Sequence, residues 1–184
     1  MELVLIPAER TAVLVGARGE TRRLIERKGG VKLKVGSDGD VQISGKEPYA
    51  EYRAKEVVRA IGRGFSPQKA LKLFSEDYYL KIIDLKEVLG SDKDVVRVKG
   101  RIIGAEGKSR KTIEELSETD LCIYGSTVSL IGMLEEVSLA SDALEALIGG
   151  ASHSRVYSLL EKGRRKLKEE RSKLWEEHSA GKGA

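Results

Sequence analysis

The phrase VGARGETRRLIE runs from Val15 to Glu26, and IGAEGKSRKTIE runs from Ile103 to Glu114. Aligning them pairs Gly16 with Gly104, Ala17 with Ala105, Gly19 with Gly107, Arg22 with Arg110, Ile25 with Ile113 and Glu26 with Glu114. The pairs between are conservative: Thr21 with Ser109, and Arg23 with Lys111. The match continues outward. Leu33 and Val35 fall on Leu121 and Ile123, and after a one-residue change in the next turn Val41, Ile43 and Gly45 fall on Val128, Leu130 and Gly132. AIGRG at 60–64 answers LIGGA at 147–151. Self-similarity on this scale is the signature of a duplicated supersecondary unit, so the chain reads as two copies of one small fold.

Each copy has the same predicted order. ELVLI (2–6) and YLKIIDL (79–85) read as opening strands. A helical segment at 8–15, and at 93–103 in the second copy, leads into the glycine turn. Helices follow at 20–28 and 108–117, with Leu24, Ile25, Ile113 and Leu116 inward. Gly29-Gly30 stops the first of these. VKLKV (31–35) and DLCIY (120–124), then DVQIS (40–44) and TVSLI (127–131), alternate as hairpin strands. Longer helices close the copies at 47–62 and 133–148. The fold class is α+β, each copy a three-stranded sheet covered by three helices. The expected division is a first domain at 1–65, a linker at 66–79, a second domain at 80–150, and a basic C-terminal helix with a disordered tail at 151–184.

The GxxG turn has a physical use. Glycine lets a backbone approach another chain without a Cβ clash. A helix beginning at the turn points free N–H groups and its positive dipole end outward, a favourable place for phosphate. Arg18, Arg22 and Arg23 surround the first turn; Arg101, Lys108, Arg110 and Lys111 surround the second. Beside each turn an aliphatic groove is expected, from Leu14, Val15, Ile25 and Leu33 in one copy and Ile102, Ile103, Ile113 and Leu121 in the other. Unstacked bases could lie there, which suits single strands. Aromatic residues are only 5% of the chain, which argues against a sheet that stacks bases on aromatic rings.

An apolar pair, GxxG, a helix and a strand, twice in the full element order, resembles tandem type I KH domains over nearly the whole chain to residue 150. Arg22 and Arg110 stand where ordinary KH domains are apolar. That departure, the phrase GxxGx[TS]R[RK]xIE and a basic C-terminal helix resemble the partner-of-NOB-one family of small-subunit ribosome-assembly KH proteins and their archaeal homologues. The resemblance implies a non-catalytic protein that binds the 3′ end of small-subunit precursor rRNA. It also implies cooperation with the maturing endonuclease and with a translation initiation factor. The RNA-binding residues it implies are Gly16, Ala17, Arg18, Gly19, Arg22 and Arg23 in the first copy. In the second they are Ile103, Gly104, Ala105, Glu106, Gly107, Lys108, Arg110, Lys111, Ile113 and Leu121. Glu106 puts a carboxylate inside the second turn, while the resemblance makes the second copy the principal rRNA site. An exosome-type or mRNA-binding KH adaptor is the alternative.

The net charge of +4 is compatible with nucleic acid without demanding it. A lone cysteine, Cys122, excludes an intramolecular disulfide, and a cytoplasmic compartment is expected. Cys122 reads as strand packing, and its repeat partner Lys34 suggests a face tolerant of polarity. The opening MELVLIPAER lacks a basic lead and a long apolar segment, so no leader peptide is expected, and no apolar run suits a membrane span. His153 and His178 lack metal-ligand spacing, and no cofactor is expected. No carboxylate pair is set for nuclease chemistry. Arg22 and Arg110 can pair with Glu26 and Glu114 one turn on, meet phosphate, or both. Ser152 and Ser154 read as caps of the last helix. The run GRRKLKEERSK is either a solvated face or a contact for rRNA or protein, and Trp175 packs back or anchors a partner. The chain is expected to be a monomer.

Overall fold

The computed structural model describes residues 1–180, with side chains to Glu176; the tail GKGA and the His178 side chain lie outside the described residues. The first unit is β1 (Glu2–Leu5), a 3-10 turn (Ala8–Arg10), α1 (Thr11–Val15), the 3-10 turn Ala17–Gly19, α2 (Glu20–Gly29), β2 (Val31–Val35), β3 (Asp40–Gly45) and α3 (Pro48–Gly62). Residues 66–79 are folded too: α4 (Pro67–Ala70) and a 3-10 turn (Leu71–Phe74) bury Ala70 and Leu73. The second unit is β4 (Tyr78–Asp84), α5 (Leu85–Leu89), α6 (Asp92–Ile103), the 3-10 turn Ala105–Gly107, α7 (Lys108–Ser117), β5 (Asp120–Tyr124), β6 (Thr127–Met133) and α8 (Leu134–Ile148). α9 (His153–Ala180) closes the described chain. α5 lies on a stretch expected to be loop. Both sheets are antiparallel, in the orders β1-β3-β2 and β4-β6-β5.

The two sheets differ in what covers them. Val4, Leu33, Val41 and Ile43 face the helices of the first unit, while Lys32, Lys34, Gln42 and Ser44 face outward and are exposed. Alternating VKLKV therefore has one wet face. In the second sheet Leu121, Val128 and Leu130 face their own helices. The opposite face, with Tyr78, Leu80, Cys122 and Ile131, packs on the core of the first unit. Thr127 through Ile131 are buried throughout, because β6 lies between two cores. This explains Cys122 opposite Lys34: the cysteine faces the seam between the units, and burial raises its thiol pKa.

Polar contacts edge the seam. Asp120 accepts from Lys72 at 2.6 Å and pairs with Lys69 at 3.0 Å. Burial alone would raise the Asp120 pKa, but the two lysine bonds outweigh it and hold the carboxyl below its usual value. Tyr124 hydrogen-bonds Glu9, and the Arg10 guanidinium lies 6.0 Å from the Tyr124 ring.

An arginine ahead of each glycine turn ties down the end of the closing helix, where carbonyls lack intrahelical partners. Arg10 donates to the Ile61 and Phe65 carbonyls at 2.8 and 2.9 Å. Arg101 donates to those of Leu147 and Ala151 at 2.8 and 2.6 Å. These contacts correct the sequence alignment of the helix ends by one residue. Gly64, not Arg63, is the counterpart of Gly150, and both have left-handed backbones at φ +96° and +99°.

α9 buries Val156 and Leu160 and leaves Trp175 exposed. Ser152 caps it through the Arg155 N–H at 3.3 Å, whereas Ser154 lies inside the helix. Part of its basic face turns to the body. Arg171 meets Glu136 at 2.8 Å, and Arg164 meets Glu118 at 3.4 Å. Glu118 ends α7 at φ +59°, where Gly30 ends α2 at φ +64°.

Two outcomes follow. Asp120→Asn should lower the urea-unfolding stability by about 1 kcal/mol at pH 7. A carboxyl with a depressed folded pKa stabilises above its unfolded pKa and loses this as pH falls through the folded value. The gap between wild type and variant should therefore close below about pH 4. Gly64→Ala and Gly150→Ala share the strain of a positive φ, about 1–3 kcal/mol each. A Cβ at Gly64 would also stand 2.8 Å from Cys122 Sγ, while one at Gly150 meets open space. Thermal melts should show the larger loss for Gly64→Ala.

Candidate nucleic-acid interface

The two glycine turns have the same backbone. Gly16 and Gly104 sit at φ +73° and +72°, Arg18 and Glu106 at +52° and +54°, Gly19 and Gly107 at +77° and +74°. A Cβ on Gly16 would lie 2.8 Å from the Thr21 backbone nitrogen, and one on Gly104 equally close to that of Ser109. The chain thus folds back tightly on the first turn of the next helix, and only glycine fits. Arg18 and Glu106 hold left-handed conformations without being glycine, which projects the middle of each turn into solvent. Ala17, Arg18, Ala105 and Glu106 are all exposed.

α2 and α7 begin at Gly19 and Gly107 with no side-chain cap on their first N–H groups. Those groups and the positive helix end face the open turn. Around the first turn stand Arg18, Arg22 and Arg23 with Glu20; around the second, Lys108, Arg110 and Lys111 with Glu106. Each turn carries three cations and one carboxylate, and the two exchange the sign of the charge on either side of the second glycine. Glu106 therefore does not leave the second clamp poorer in positive charge than the first. Arg101, expected beside the second turn, donates instead to helix-end carbonyls.

Most of the aliphatic residues expected to line a groove beside each turn do not face solvent. Ile113 and Leu121, expected to meet RNA, are fully buried, as are Ile25, Leu14 and Ile102, and Leu33 is nearly so. Their side chains belong to the cores, Leu14, Ile25, Ile102 and Ile113 from α1, α2, α6 and α7, and Leu33 and Leu121 from the inner faces of β2 and β5. Of each apolar pair only the second member reaches the surface: Ile103 is 37% exposed, and Val15 is half-buried. Polar bonds join the helix after each turn to the neighbouring strand. Glu26 accepts the Leu33 N–H at 2.9 Å, and Glu114 accepts the Leu121 N–H at 2.9 Å. Arg110 Nε stands 3.6 Å from Glu114, the pairing foreseen from their spacing; no such contact joins Arg22 to Glu26 among the described residues. The carboxylate-to-strand bonds were missed, although the repetition of Glu26 as Glu114 was visible.

His153 hydrogen-bonds the Arg101 carbonyl through Nε2. Among the described residues no three His, Cys, Asp or Glu side chains cluster to hold a metal, and no helix is long and apolar enough to cross a membrane.

Comparison with known proteins places both units. Residues 1–60 match the KH domain profile, and residues 79–165 match the profile of the eukaryotic-type KH domain, type I, of the second KH domain of PNO1. A KH domain-containing protein of Methanocaldococcus jannaschii is 45% identical over 183 residues, 97% of this chain and 81% of that relative. The pre-rRNA-processing protein PNO1 of Chaetomium thermophilum is 33% identical over 109 residues, 57% of this chain and 42% of its own. The chain thus spans less than half of that eukaryotic relative. The Dim2p chain in a complex of a/eIF2alpha, aDim2p and rRNA from Pyrococcus horikoshii is 39% identical, with a TM-score of 0.83, covering 90% of this chain and 94% of that one. With two KH units, their shared seam and relatives over the full length, the chain belongs to the PNO1/Dim2 family as an archaeal KH-domain RNA-binding protein.

Proposed function

We propose that this protein binds single-stranded rRNA through both GxxG turns, at the 3′ end of the small-subunit precursor, as a non-catalytic assembly factor. The observation that carries the reading is the duplicated turn itself. Two solvent-facing glycine backbones open onto uncapped helix starts, each ringed by three cations. Phosphates suit that backbone, and bases suit the groove beside it. Relatives supply the RNA class: one is a pre-rRNA-processing protein, and another is held with rRNA and a/eIF2alpha. A translation initiation factor and an rRNA-maturing endonuclease are accordingly the proposed protein partners.

Cross-linking of the protein to RNA in cells tests the reading. Cross-links should pile up at the 3′ end of small-subunit rRNA; a spread over messages would favour an mRNA adaptor instead. In vitro, replacing Ala105-Glu106 by Asp-Asp adds one carboxylate facing phosphate and should weaken RNA binding about five- to tenfold. Replacing Ala17-Arg18 by Asp-Asp also removes a cation. It should weaken binding further and flatten the salt dependence by about one counterion. Unchanged affinity in both folded variants would show that the turns do not hold the RNA backbone.

A further inference from the structure

Helix α9 sorts its cations by side. Arg164 and Arg171 turn to the body, where they meet Glu118 and Glu136. Arg155, Lys162, Arg165 and Lys166 are exposed. Among the described residues the first three have no ion pair, and Lys166 has only Glu170 at 3.9 Å on an equally open surface. At 3.6 residues per turn these four fall within an arc of about 100°, on the side away from the buried Val156 and Leu160, and span about 16 Å of helix. A solvated helix face stabilises itself by setting opposite charges three or four residues apart. Here Lys162 has Arg165 and Lys166 at those spacings, and Arg155 has no carboxylate at either. Glu161, at the margin of the arc, is the one carboxylate from His153 to Lys168. Like charges so placed repel each other until an anion covers them.

The foot of the row borders a cavity of about 600 Å³ lined by Ser152, Ser154, Arg155, Ser158, Leu159 and Lys162. Its polar lining is hydroxyl and cationic, the donors that phosphate oxygens accept from. Nothing on this face holds a base. Tyr157, the aromatic residue of the stretch, packs on the second core with its ring 6.1 Å from that of His153. Single strands are held in grooves with aromatic stacking platforms, whereas the outer side of a helix is convex and offers charge alone. A duplex hides its bases and doubles the phosphate charge per unit length, so it suits such a face better. The row also starts close to the second glycine turn. His153 Nε2 lies 2.8 Å from the carbonyl oxygen of Arg101, one helical turn before Gly104, and α9 runs from there along α7 until Arg164 reaches Glu118 at its far end.

We propose that α9 is a second nucleic-acid surface, on which Arg155, Lys162, Arg165 and Lys166 take the phosphates of double-stranded RNA. This surface does not depend on RNA at the glycine turns. Where both are filled, one molecule holds a single strand and the double helix beside it.

The test replaces Arg155, Lys162, Arg165 and Lys166 together by glutamine in the full chain. The probes are a blunt RNA duplex of about sixteen base pairs and a single strand of about ten nucleotides, followed by fluorescence anisotropy between about 50 and 200 mM salt. Wild type should bind the duplex. The variant should bind it about tenfold more weakly, with the salt slope flattened by about three counterions. Its melting midpoint should not move, and its affinity for the single strand should stay within about twofold, since exposed charges beyond a Debye length are screened. Exchanging arginine for lysine and lysine for arginine at the four positions should restore duplex binding. A duplex that wild type does not bind, or that the glutamine variant binds as tightly, overturns the proposal. Binding of polyglutamate in preference to the duplex assigns the row to an acidic protein and overturns it too. The protein with both Ala17-Arg18 and Ala105-Glu106 replaced by Asp-Asp separates this surface from the turns. It should lose the single strand and keep the duplex. If it keeps the single strand, the reading of the turns fails while duplex binding still decides α9; if it loses the duplex, the turns hold the duplex and the α9 proposal fails.

Discussion

The burial of β6 on both faces is the constraint on which the molecule depends. Leu130 and Ile131 are adjacent in sequence and enter different cores, one the second unit's own and one the first unit's. A strand is the element that can do this, because successive side chains leave on opposite faces. The second sheet thereby acts as a middle layer, and residues 66–79 form its upper edge through Ala70, Leu73 and the lysines that reach Asp120. The first sheet has no such duty: its outer face carries Lys32, Lys34, Gln42 and Ser44, with Leu3 and Leu5 exposed beside them on β1. The duplicated units are alike in backbone and unequal in role, since one supplies a wall that the other leans on.

Much of this was legible in the chain. The repeat gave both units, and alternation placed the strands of each hairpin within two residues of where they lie. α7 falls on its expected span, because Ile113 and Leu116 mark its inner face. What stayed hidden is contact between units. TVSLI reads as an ordinary half-buried strand until something covers its second face, and no local pattern announces a neighbouring domain. The helix-end arginines were hidden for a related reason. Arg10 and Arg101 do the same work from positions that do not align, so the repeat pointed to Val98 and Val13 instead. Similarity preserved the contact and not the residue. At the grooves the apolar floor was overread, since the residues spaced for a helix face and a strand face are the ones the core claims first.

The clamps show how little charge separates two sites with different sequences. Arg18 before the second glycine and Glu20 after it become Glu106 and Lys108. The sum is unchanged while the local field reverses along the turn. Non-glycine residues in left-handed backbone are tolerated at both places because the turn between two glycines is closed by Gly19 N–H to Gly16 and Gly107 N–H to Gly104, at 3.1 and 3.3 Å. The backbone shape is therefore independent of the side chain it displays, which leaves the turn free to vary what it shows to solvent.

The seam has a consequence for a bound polymer. Two binding modules on a slack tether tolerate many spacings and pay in entropy each time both are occupied. Here the two units are fused by shared core and by Asp120, the first residue of β5, which is held by the inter-unit lysines. Two binding sites at a fixed separation would act as a ruler. On the proposed binding mode, a strand that fills both would need the right number of nucleotides between its two gripped segments, and the rigid pair would select by contour length.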